Sequence, residues 1–148
     1  MAIVKSLYLE DVDIGDEVPA VIRRITTEDV CAYLEAWQGP DATAWPSRFH
    51  DVEQAKKEGL EAPIVPGPMS MAILSKFLTD WSPTVRLKLI DTIFRQVVPH
   101  GAEVKIYGVI TDKNEDDLQV ELDIYLEPLD GQPFIRGRAV LGLPSREI

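Results

Sequence analysis

With 148 residues, 45% of them apolar and 27% charged, and a net charge of -10, the chain has the size and balance of one globular domain with an ordinary core. The acidic excess argues against a nucleic-acid binder, which needs a basic face to displace counterions from phosphates. No apolar run approaches the roughly 20 residues needed to cross a bilayer. The opening MAIVKSLYLEDVDIG also lacks the basic-then-apolar order of a secretory signal, so a soluble, cytoplasmic protein without membrane partners is expected.

From Tyr8 to Ile25, turn residues Asp13-Ile14-Gly15-Asp16 precede a β-branched run from Val18 to Ile25. Pro19 interrupts that run, and because proline offers no N–H to a ladder, an edge strand is predicted. Thr26 or Thr27 then caps a helix whose first turn holds Glu28 and Asp29, where the helix dipole favours negative charge. Val30, Tyr33, Leu34 and Trp37 recur at helical spacing until Gly39-Pro40. The single cysteine, Cys31, lies on this helix, can form no internal disulfide and reads as a small hydrophobe.

Asp51 is placed to cap a short helix, Val52 to Glu58, stopped by Gly59. The next helix, from Pro68 to Trp81, carries Met69, Met71, Ala72, Ile73, Leu74, Phe77, Leu78 and Trp81. That is apolar on more than one stripe, so this helix requires burial nearly all round. The second half reads as strands: Val85 to Val98, Ala102 to Thr111, and Leu118, Val120, Leu122, Ile124 and Leu126 in strict alternation with polar residues. Asp112 to Asp117 forms a turn, and Asp130-Gly131 signals a hairpin before a last strand from Phe134 to Leu143. Helices first and a strand meander afterwards predict an α+β domain spanning 1–148, without repeats, low-complexity segments or linkers.

The stretch Gly39 to Gly67 carries a more specific signal. It resembles the signature of the MaoC-like dehydratases, or (R)-specific enoyl-CoA hydratases, in which G-D-x-N-P-x-H is followed by spaced Asp, Ala and Gly and by a Pro-hydrophobic-hydrophobic-x-Gly run. Asp51, Ala55, Gly59, Pro63 and Gly67 keep that spacing without a gap. The resemblance implies a hot-dog fold, a curved antiparallel sheet wrapped around a central helix, assembled at least as a dimer. It further implies hydration or dehydration of an acyl-CoA thioester, with no cofactor and no metal.

The shared register also exposes a conflict, for it sets Phe49 at the family's catalytic His and Ala44 at its Asp. Hydration of an enoyl thioester requires a base for water, an acid for the α-carbon and donors for the enolate oxygen. Two readings stay open. In the first, a lengthened loop brings Asp41 and His50 into the site as displaced acid and base, with the Gly67 amide as oxyanion donor at the start of the central helix. In the second, the chain is a non-catalytic acyl-CoA-binding or structural subunit beside an active hydratase chain.

In the second reading Phe49 and Trp45 line an apolar pocket, with Pro63 and Met69 as further substrate-contacting positions. Arg48, Lys56, Lys57, Arg86, Lys88 and Arg95 are the cations available to gather an anionic CoA. Leu78-Thr79-Asp80-Trp81 followed by Ser82-Pro83 resembles the small subunits of heteromeric hydratases acting on steroid side-chain CoA thioesters, which implies a bulky acyl group and an unlike partner chain. A hot-dog thioesterase is less favoured, because the central helix offers no acid before Asp80. His100, in a turn after Val97-Val98-Pro99, receives no role.

Overall fold

Four strands from the second half of the chain and one from its beginning form a single antiparallel sheet. The computed structural model describes residues 5–147. After a short 3-10 turn at Leu9–Asp11 come β1 (Glu17–Arg24), α1 (Thr27–Gln38), α2 (Val52–Lys57) and α3 (Gly67–Thr79), then β2 (Arg86–Phe94), β3 (Glu103–Asn114), β4 (Gln119–Pro128) and β5 (Ile135–Gly142). The spatial order is β1-β3-β4-β5-β2, so β1 and β2 are the edges. The α+β hot-dog arrangement expected from the sequence is present.

The strict alternation of β4 produces one dry face. Val120, Leu122, Ile124 and Leu126 are fully buried, beside Val104, Ile106 and Ile110 of β3 and Ile135, Ala139 and Leu141 of β5. Against this face packs α3, burying Met69, Ile73, Leu74, Phe77 and Leu78. Each large aliphatic side chain so buried contributes about 1.5–3 kcal/mol relative to exposure, which is why a helix apolar on several stripes settles inside the sheet's curve. The Thr92 hydroxyl donates to the Met71 thioether, fixing α3 to edge strand β2. Among the described residues, no helix is long and apolar enough to cross a membrane.

Gly137 permits the sheet to close at its β2 side: a Cβ there would lie 2.1 Å from the Asp91 carbonyl oxygen. Edge strand β1 carries a register shift between Val18 and Val21, the segment that holds Pro19. Two expectations are adjusted. Leu118 does not continue the β4 alternation; it sits in the turn with a φ of 52° and is 40% exposed. Trp37, although at helical spacing with Val30 and Leu34, is 51% exposed and stacks at a tilt on Tyr33.

Local caps shape the segment that leads to the site. Thr26 caps α1 in a reciprocal box with Asp29, whose carboxyl is held below its ordinary range by hydrogen bonds from the Thr26 amide and hydroxyl. Asp51 caps α2 by accepting from the Gln54 amide at 3.1 Å. The chain then runs through buried Pro63, Val65 and Pro66 into the first turn of α3.

Candidate functional site

The entry to α3 has no side-chain cap, whereas Thr26 and Asp51 close the starts of α1 and α2. Pro66 precedes Gly67, and Pro68 follows it without an N–H, while the amides of Met69 and Ser70 both turn back to the Pro66 carbonyl. The Gly67 amide is therefore a first-turn donor with no helical acceptor, at the end of the helix where partial positive charge collects. Just outside it runs Phe94, the last residue of β2, whose ring would lie 3.6 Å from a Cβ on Gly67. A side chain at this position would stand against that ring, and glycine leaves the space open.

Around this amide lies a cavity of about 260 Å³ whose wall includes Phe49, Val65, Gly67, Ser70, Phe94 and Val98. Phe49 comes from the loop between α1 and α2, Ser70 from α3, and Val98 from the segment after β2, where its carbonyl accepts from the Val65 amide at 2.7 Å. The site thus gathers residues from three distant stretches of sequence. Its wall is apolar apart from the Ser70 hydroxyl, the Gly67 amide, and Arg95 and Gln96 at the rim.

The other residues singled out from the sequence fall elsewhere. Asp41 is exposed in the turn after α1, where its carbonyl accepts from the Ala44 amide at 3.0 Å. His50 lies 2.8 Å from the Trp45 carbonyl through Nε2. Since a carbonyl only accepts, Nε2 carries a proton and the ring is tied to its own loop. Trp45 is 75% exposed. Pro63 is buried and its carbonyl accepts from the His100 amide at 3.2 Å, while Met69 is turned into the core. Of the seven positions, the cavity wall brings together Phe49 and Gly67 and contains none of the other five.

His100, with no role expected from its residue pattern, braces this arrangement. Its Nε2 lies 3.2 Å from the Ile64 carbonyl and its Nδ1 3.1 Å from the Thr27 hydroxyl. These partners select the tautomer protonated at Nε2, with Nδ1 accepting from Thr27. Burial lowers its pKa below the ordinary histidine value, opposed by the Ile64 and Phe49 carbonyls and reinforced by His50 nearby. A neutral ring therefore ties the start of α1 to the chain that carries Phe49 and leads into Gly67. A sequence signal existed only in retrospect: His100 follows Pro99, and the Pro99 backbone bridges to Ile64.

A second concavity, of about 300 Å³, opens at the opposite end of α3, between Phe77, Trp81 and the Val18 to Val21 part of β1. Its charged groups are already matched. Lys76 pairs with Asp80 one turn on, and Arg23 lies 3.7 Å from Asp29. It is an apolar groove with satisfied rims, whereas the Gly67 cavity has unmatched donors.

No family model and no curated protein sequence matches the chain. Solved structures do. An (R)-hydratase from A. caviae involved in PHA biosynthesis superposes with a TM-score of 0.80 at 21% identity, covering 91% of this chain and 99% of that one. The ChsH1-ChsH2 complex from Mycobacterium tuberculosis gives a TM-score of 0.77 at 16% identity, over 88% of this chain and 98% of that one. A MaoC-like dehydratase from Rhodospirillum rubrum gives 0.73 at 18% identity, over 97% of this chain and all of the other. With the sheet order, the enclosed helix and the glycine at its start, these likenesses give this chain the hot-dog fold of the MaoC-like dehydratases and (R)-hydratases.

Proposed function

We propose that this chain binds an acyl-CoA thioester as a hot-dog subunit that completes the site of a second, proton-transferring hydratase chain. One observation carries the reading: the residue at the register of the family's catalytic His is Phe49, which lines the same cavity as Gly67 and can exclude water and pack against an acyl group but cannot move a proton. The Gly67 amide and the α3 dipole suit a thioester carbonyl, polarised or held as an enolate. Phe94 and Val97, at the cavity wall, are 49% and 50% exposed, and β2 is an open edge, so a partner domain seated there would close the site. The likeness to a two-chain complex supports an unlike partner, and a homodimer is the other assembly consistent with the fold.

Co-expression with candidate hydratase chains that carry G-D-x-N-P-x-H tests this. The expected result is co-elution in size-exclusion chromatography, no turnover of enoyl-CoA by this chain alone, and a rise in activity or solubility of the partner. Robust turnover by the purified homo-oligomer would sink the subunit reading.

The second reading, (R)-specific enoyl-CoA hydration by this chain itself, has its own support: His50 directly follows Phe49 and is anchored by a single backbone carbonyl in a loop rich in turns. A shift of that loop on substrate binding would carry His50, with Asp41, toward the cavity. It predicts that His50→Ala and Asp41→Ala each lower hydration by about 10²-fold or more, the scale for losing a positioned acid or base. Unchanged turnover in both variants would remove them from the mechanism.

A further inference from the structure

Outside the thioester cavity, the acidic surface of this chain has a local exception. The backbone amides of Arg95 and Gln96 both donate to the Phe134 carbonyl, at 2.8 and 3.2 Å, so the segment leaving β2 is drawn against the start of β5. This sets Arg95 and Gln96 beside Gln132, Pro133, Arg136 and Tyr125 around a concavity of about 450 Å³. Its wall contains two guanidiniums, two carboxamides and a phenol, and no carboxylate. In a chain of net charge -10, such a wall is unusual.

The two arginines are available as well as close. The ion pairs found among the described residues engage Arg23, Arg24, Arg48, Lys76, Lys113, Arg138 and Arg146, and include neither Arg95 nor Arg136. Tyr125 stacks on Tyr107 at 4.8 Å between centroids, and it stands directly across from Arg136 in the sheet ladder. A guanidinium fork matches phosphate oxygens in geometry, and an aromatic ring beside it offers a face or edge to a purine.

Arg95 and Gln96 line this concavity and the Gly67 cavity alike. The two spaces therefore meet at a shared pair of side chains, one space apolar with an amide donor, the other cationic with an aromatic wall. We infer that Arg95 and Arg136, with Tyr125 beside Arg136 on the neighbouring strand β4, hold the phosphorylated adenosine end of CoA, while the pantetheine arm passes Arg95 toward Gly67. The inference rests on the thioester-binding reading and adds to it a place and a set of residues for the nucleotide.

The test uses the full chain and adenosine 3',5'-bisphosphate, CoA and phosphate-free pantetheine as separate probes, measured by calorimetry at low and moderate salt. The bisphosphate and CoA should bind and pantetheine should not be detected. Arg95→Gln and Arg136→Gln should each weaken both phosphorylated probes about 10-fold or more, the scale for losing a charge-assisted hydrogen bond. Lys76→Gln, at the far end of α3, should leave them unchanged, and affinity should fall with salt. Both arginines are exposed, so melting temperatures should match the parent.

Bisphosphate binding that is absent, indifferent to both arginine variants, or matched by inorganic phosphate at equal concentration would overturn the nucleotide site. Failure of the thioester reading would look different: arginine-dependent binding of bisphosphate would persist, while Gly67 and Phe49 variants would leave the affinity for an acyl-CoA no different from that for CoA.

Discussion

The two ends of α3 both open onto mainly apolar concavities and differ in what their polar groups are doing. At the Thr79 end every charge that rims the groove has a partner, Lys76 with Asp80 and Arg23 with Asp29. At the Gly67 end an amide without a helical acceptor faces a cavity whose rim holds Arg95, which has no carboxylate within ion-pair distance among the described residues. A satisfied groove gains only apolar contact from a ligand, whereas unmatched donors gain the hydrogen bonds they lack and discriminate by charge. Volume alone would favour the Thr79 end, since its groove is the larger at about 300 Å³ against about 260 Å³.

The most severe way to break this contrast is to remove what both ends share. Leu74 is fully buried at the middle of α3, and Leu74→Ala should cost about 2–5 kcal/mol through lost transfer energy and a residual cavity. Chemical denaturation should show a large fall in midpoint, with ligand binding at the Gly67 end lost in step. A local change should separate the ends. Gly67→Val puts methyl groups into the space before the Phe94 ring, so acyl-CoA affinity by titration calorimetry should fall about 10-fold or more, about 1.4 kcal/mol, with the melting temperature little changed.

Acidification should also act on one end only. The His100 pKa is lower in the native chain than in the unfolded one, so the unfolded chain takes up the proton more readily. Its contribution to stability is therefore complete above about pH 6.5 and is lost as the pH falls from there through the lower native value. Denaturation midpoints should decline between pH 7.5 and pH 5.5, and His100→Gln should flatten that decline. An unaltered slope in the variant would assign the effect to other groups. The smallest effect belongs to the Thr79 end. Lys76→Ala removes an exposed pair one helical turn apart and should change stability by about 0.5 kcal/mol or less.

The sheet and α3 were readable from the residues because burial on one face imposes alternation, and burial all round imposes an apolar helix. Val120 to Leu126 and Met69 to Leu78 follow those rules. Caps were readable too: Thr26 and Asp51 accept from amides three residues on, a purely local chemistry. The candidate site was readable only in part. Phe49 and Gly67 emerged from a spacing pattern, but Phe94, Arg95 and Val98 join them through the pairing of β2 with β5 and its packing on α3, which no window of sequence contains. Leu118 misled because alternation counts side chains and is blind to a backbone at positive φ. His100 was missed because its partners, Thr27 and Ile64, lie far away in the chain.

Edge strand β1 has a consequence for how many copies can join. Pro19 lacks an amide hydrogen and lies within a break of register, so the outer rim of β1 presents an interrupted row of donors to any incoming strand. Strand β2, also an edge, has its own register shift, between Leu87 and Leu89, but contains no proline. A sheet with one receptive rim and one obstructed rim ends its growth after a single addition: two such domains can join rim to rim, and the composite exposes only obstructed rims. On this physics Pro19 would act as a chain terminator, an arrangement that favours closed pairs over open-ended filaments.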